Sequence, residues 1–169
     1  MNEVREIFSR LVDLQLLRSR NFCGTRDFYF GHADSKTGRK EVFSLLIESE
    51  WRIEVGEQIL TGSSDYLAKA DNNADPAWEE GMPWGHLQGQ KLREFMGAAT
   101  ETDIIARRQI LVASSDVDAV GGFQIRFSEG AILAAFPASC REMEWMLKGT
   151  DGSCAMWING VLNYHGPRA

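Results

Sequence analysis

Phe123, Ile125 and Phe127 alternate with polar residues, the chain turns at Ser128-Glu129-Gly130, and Ile132, Ala134 and Phe136 take up the alternation again. Side chains of an extended strand point to opposite faces in turn, so a period of two marks a strand with one buried face. Two such runs joined by a short Gly-containing turn make an antiparallel hairpin. A chain built on this unit must find a second apolar surface to cover it, which is the strongest single constraint in the sequence.

The same signature recurs. Phe28 and Phe30 alternate, residues 31–38 are polar and turn-like, and Val42-Phe43-Ser44-Leu45-Leu46-Ile47 follows as a run of strand formers. Trp51, Ile53 and Val55 alternate, Gly56-Glu57 turns, and Ile59-Leu60-Thr61 returns before Gly62-Ser63-Ser64-Asp65. Residues 27–62 thus read as one antiparallel meander. Residues 110–162 read as a second, from Ile110 and Val112 through Trp145 to Cys154–Ile158 and the tight-turn pair Asn159-Gly160. The order of aromatic strand, turn, apolar strand, Trp, turn and strand occurs in 28–61 and again in 125–158, as an internal repeat would have it.

Two stretches keep a helical period. Val4, Ile7, Phe8, Leu11 and Val12 fall on one stripe, with Glu3, Arg5, Arg10 and Asp13 elsewhere, so the first dozen residues are expected to form an amphipathic helix packed on the sheet. Gln90–Ala99, with Leu92, Phe95 and Met96, is expected as a short middle helix. The expected class is α+β, a mainly antiparallel sheet in two meander-like units with these two helices. With 169 residues, 44% hydrophobic, one domain over 1–169 is expected.

Charge and cysteines narrow the function. Lys and Arg number 18 against 24 Asp and Glu, a net −6 that repels phosphate backbones and anionic membranes. Nucleic acid and membrane are therefore not expected as partners. Cys23, Cys140 and Cys154 are scattered, without C-x-x-C pairs, and no run approaches the roughly 20 apolar residues that span a bilayer. From the mixed-charge N-terminus and the odd, scattered cysteines a cytoplasmic, unprocessed chain is expected.

Residues 68–89 hold no sustained period. They mix Asp71, Asp75, Glu79 and Glu80 with Pro76, Pro83, several glycines and two tryptophans, Trp78 and Trp84. Aromatic anchors ringed by carboxylates suit a basic protein partner, so Asp71, Asp75, Trp78, Glu79, Glu80 and Trp84 are the candidate binding residues. The alternative is a small-molecule pocket between sheet and loop, lined by Asp65, Trp84 and His86. A structural or self-associating subunit is the third reading.

The run Leu45–Ile53 with its Trp51-Arg52 pair, the turn Gly62-Ser63-Ser64-Asp65, and Val120–Gly130 followed by Phe136-Pro137 resemble a family of small uncharacterised bacterial proteins. Ser63-Ser64 stands where that family's turn carries more charge, and its shared motifs are scaffold rather than catalytic. The compact, acidic, mostly β chain is also similar in size and class to immunity proteins that neutralise bacterial toxins. That likeness implies a protein-binding inhibitor that covers the active site of a basic toxin.

Catalytic patterns are thin. His32, His86 and His165 lack the spacing that puts two ligands on one helical face, and no metal or cofactor is expected. Cys23 with His32, or Cys154 with His165, would need tertiary convergence to make a nucleophile, and Cys154 reads as a small buried hydrophobe. Asp116-Val117-Asp118 puts two carboxylates on one strand face but reads as a solvated strand end. Gly81, Gly85 and Gly89 lack phosphate-cradling geometry.

Overall fold

The computed structural model describes residues 1–22, 25–33, 38–66, 68, 87–98, 103–139 and 142–167. Among them lie a helix α1 (Asn2–Ser9), strands β1 (Gln15–Phe22), β2 (Thr25–His32), β3 (Lys40–Ile47), β4 (Glu50–Val55) and β5 (Gln58–Gly62), and a 3₁₀ turn over Ser63–Tyr66. Then come α2 (Leu87–Met96), β6 (Asp103–Ile105), β7 (Val112–Val117), β8 (Phe123–Phe127), β9 (Ala131–Phe136), β10 (Met143–Gly149), β11 (Cys154–Ile158) and β12 (Val161–His165). Neighbouring strands among the described residues pair antiparallel, so the expected α+β class with mainly antiparallel sheet is what the chain adopts.

The strands form two sheets, in the orders β12-β11-β10-β3-β2-β1-β6 and β5-β4-β9-β8-β7. The stretch 27–62, expected as one meander, is divided: β2 and β3 lie in the larger sheet, β4 and β5 in the smaller. The stretch 110–162 is divided in the opposite sense, with β7–β9 in the smaller sheet and β10–β12 in the larger. The break falls at Glu48-Ser49, where both N–H groups donate to the Glu144 carbonyl, at 2.8 and 2.9 Å. There the chain turns from one sheet into the other, as strands do at the corners of packed sheets.

This division gives the two halves equivalent places. Exchanging the sheets carries β11-β10-β3-β2-β1 onto β5-β4-β9-β8-β7. Trp145 lies opposite Ile47, as Trp51 lies opposite Ala135; Phe28 lies opposite Leu45, as Ile125 lies opposite Leu133. Strand β12 extends the larger sheet beyond β11, whereas β5 ends the smaller one.

The core is one cluster fed by both sheets and both helices. Phe123, Ile125 and Phe127 are buried, as their alternation demands. On the returning strand the buried set is Ala131, Leu133 and Ala135, joined by Ala134, while Phe136 stands 41% exposed. The returning alternation in the sequence marked the opposite phase. Gly130, at φ +83°, closes a turn that sets Ile125 against Leu133, and the guanidinium of Arg52 covers the outward Phe136 ring, 4.6 Å from its centroid.

Helix α1 ends at Ser9, shorter than the expected dozen residues, and packs on β7, β11 and β12. Its Phe8 meets Trp145 edge-on at 5.4 Å and Phe123 at 5.5 Å, while Trp145 Nε1 donates to the Gly121 carbonyl at 2.7 Å. Arg10, just past the helix, lies over the Phe43 ring at 4.9 Å and donates to Asp151 at 2.7 Å and to the Ser153 hydroxyl at 3.1 Å. Asn159 and Gly160, both at positive φ, form the tight turn that their residue types foretold.

Gly121 is irreplaceable on two counts: its φ is +84°, and a Cβ there would sit 2.3 Å from the Trp157 ring. Gly121→Ala is expected to lower stability by about 2–4 kcal/mol, the sum of left-handed strain and overpacking, read from urea unfolding. Asp151 supplies a pH signature. Hydrogen bonds from the Ser153 hydroxyl and N–H, with Arg10 beside it, hold its carboxyl down at about 2. A depressed carboxylate contributes stability above its unfolded value and loses it as pH falls through the folded one. The urea midpoint is therefore expected to fall between about pH 4 and 2, with a shallower fall in Asp151→Asn.

Candidate functional site

Asp71, Asp75, Trp78, Glu79, Glu80, Trp84 and His86 lie outside the described residues. The described chain does fix what flanks their segment. Leu87 N–H donates to the Ala68 carbonyl at 2.9 Å, so the described residues on either side of 69–86 lie side by side. That bond sits between the 3₁₀ turn and the start of α2, which begins three residues before the expected Gln90 and ends at Met96.

Beneath it is a buried polar clamp to which no motif in the sequence drew attention. Arg26 belongs to the core-facing set of β2 with Phe28 and Phe30 and is only 3% exposed. Its Nε donates to the Gln88 side-chain oxygen at 3.1 Å, and a terminal nitrogen donates to the same atom. Gln88 Nε2 in turn donates to the Gly62 carbonyl at 2.9 Å. One amide thus joins β2, β5 and α2. Burial pushes the Arg26 pKa down to about 10, against the pull of nearby Tyr66 and Asp27, so the group stays charged at neutral pH. The signal was present as a charged residue in phase with Phe28 and Phe30.

Asp65, expected in the alternative pocket, accepts the Gly62 N–H at 3.1 Å. That bond gives it a part in shaping the turn. A cavity of about 510 Å³ lies between β5, α2 and the β8–β9 turn. Leu60, Phe95 and Ala131 give it an apolar floor, and Arg108 and Glu129 stand at its rim.

Cys154 and His165 do face each other across β11 and β12, but burial raises the thiol above its ordinary value despite nearby Lys148, which keeps it protonated and a weak nucleophile. Cys23, like Cys140, lies outside the described residues. Asp118 accepts the N–H groups of Val120 and Gly122 at 2.9 and 2.8 Å, a turn cap, and Asp116 lies 3.7 Å from Arg5. Trp51 and Trp145 are core residues. Among the described residues no helix is long and apolar enough to cross a membrane, and no three His, Cys, Asp or Glu side chains converge as metal ligands.

No protein-family model, curated protein or solved structure matches the chain.

The clamp predicts a double-mutant signature. Gln88→Ala leaves a buried guanidinium without its acceptor and is expected to cost about 1.5–3 kcal/mol. Arg26→Met with Gln88→Leu, which removes both polar partners, is expected to cost less than Gln88→Ala alone; a urea-unfolding cycle measures the difference.

Proposed function

We propose that the chain is a protein-binding inhibitor of the immunity type, whose segment 69–86 covers the basic active site of a toxin. The observation that carries this reading is the pairing of the residues that flank the segment. The described residues at its two ends are joined by the Leu87–Ala68 hydrogen bond, next to Gln88 of the Arg26–Gln88–Gly62 clamp. The segment carries one Lys against two Asp and two Glu, which is half of the chain's net −6, together with Trp78 and Trp84. Flanks already joined lower the ordering cost of binding, the carboxylates steer a cationic partner, and the two indoles supply the buried anchors on which protein affinity concentrates.

The mechanism is occlusion. Carboxylates of the segment pair with the toxin's basic residues while the indoles displace water from its cleft, and no bond of the toxin is altered. The test begins with capture of the partner from the host's lysate and continues with titration calorimetry of the purified pair. Trp78→Ala with Glu79→Lys is expected to weaken binding at least about tenfold at unchanged melting temperature, since anchor and charge are both lost. Equal affinity in that variant would remove the segment from the interface and the reading with it.

A further inference from the structure

The equivalence of the two halves shows why the 510 Å³ cavity exists. Gly149 lies opposite Phe43 in one half as Val55 lies opposite Ala131 in the other, so Phe43 and Ala131 occupy matching places. In the first half the Phe43 ring fills the space beside the helix, with Arg10 above it and Asp151 paired to Arg10. In the second half Ala131 leaves the ring's place empty. Gly97, the residue after α2 as Arg10 is the residue after α1, has no side chain to reach across.

The cavity nonetheless has charged lining residues of both signs, supplied by other positions than those of Arg10 and Asp151. The stem of Arg108 lies against Gly97, close enough that a methyl group on the Gly97 Cα would come within 3.1 Å of Arg108 Cγ, and Arg108 lines the cavity at an exposed position. Glu129, from the β8–β9 turn, lines it as well. Neither makes an ion pair with a described residue, whereas Lys91 and Glu94 beside them approach to 3.7 Å. What the site lacks, relative to its twin, is the aromatic ring itself.

We infer that this cavity binds a free aromatic amino acid, its ring on Phe95, Leu60 and Ala131, its carboxylate on Arg108 and its ammonium on Glu129. The volume falls within the roughly 300–1,000 Å³ of small-molecule sites, with the apolar floor and few polar groups that such sites have. An occupant of both signs answers both rim charges, and a planar ring replaces the one that Phe43 supplies in the other half. The site shares no residue with the segment 69–86 and stands or falls independently of the inhibitor reading.

The test uses the full chain with L-tryptophan, tryptamine, which lacks the carboxylate, and indole-3-propionate, which lacks the ammonium. Binding is followed by heteronuclear NMR titration. L-tryptophan is expected to saturate one site, with shifts at Leu60, Phe95 and Ala131. Arg108→Gln should weaken L-tryptophan and indole-3-propionate about tenfold, the worth of one charge-assisted contact, and leave tryptamine unchanged. Glu129→Gln should weaken L-tryptophan and tryptamine and leave indole-3-propionate unchanged. Ala131→Phe, which restores the twin's ring, should abolish all three; its melting temperature reports whether it folds, and the two rim variants, both at exposed positions, carry the test if it does not. No saturation by L-tryptophan below about 10 mM, a weak millimolar limit, overturns the assignment, as does loss of either selectivity.

Discussion

Glu144 is the point on which the two sheets depend. The β10–β11 register slips between Met143 and Trp145, so Glu144 is left out of that ladder, and its carbonyl turns to receive both Glu48 and Ser49 N–H groups. Its carboxylate meanwhile accepts the Ser139 N–H from the segment leading into β10. One residue therefore satisfies the backbone where β3 becomes β4 and where β9 leads into β10. A corner buried without such acceptors would strand amide donors in the core, at a cost comparable to the stability of a small domain when several are involved. Burial, with Glu142 and Glu144 close by, raises the Glu48 carboxyl above its ordinary value, which places an acid group at the same corner.

From that corner the rest follows by packing. Two long, bent strand pairs, β3 with β10 and β4 with β9, run through it and present Ile47, Trp145, Trp51 and Ala135 to a common interior. The open sides are then closed by helices: α1 on β7, β11 and β12, and α2 on β5 and β6. Each brings a phenylalanine to an aromatic neighbour, Phe8 to Trp145 and Phe95 to Phe127 at 6.0 Å.

The sequence announced what periodicity can announce. Phe123, Ile125 and Phe127, the Asn159-Gly160 turn, and the stripe through Val4, Ile7 and Phe8 all behave in three dimensions as their spacing dictates, because a local period decides which face is buried. What escaped was what one strand's pattern cannot encode. Glu48-Ser49 looks like a pause within a meander; only the Glu144 carbonyl, almost a hundred residues away, makes it a corner between sheets. The returning strand β9 has apolar residues in both phases, and Gly130 rather than hydropathy chose between them. Of the site residues named in advance, Asp65 has a backbone task and the others lie in 69–86, while the clamp residues Arg26 and Gln88 were passed over because neither belongs to a catalytic pattern.

The near-equivalence of the halves separates structure from opportunity. Where matching positions hold Trp51 and Trp145, both indoles are buried, and neither place can change without loss of core. Where they diverge, as Phe43 from Ala131, one side has a ring and an ion pair and the other has space and exposed charge. A ring in place of Ala131 would bury apolar surface there, as Phe43 does in the first half. The chain thus keeps two departures from the most stable solution, the open cavity beside α2 and the charged, buried Arg26 of β2. Both lie around α2, which shares the clamp through Gln88 and the cavity through Phe95. Such local departures from packing are where function is to be sought, since stability alone gives no reason to keep them.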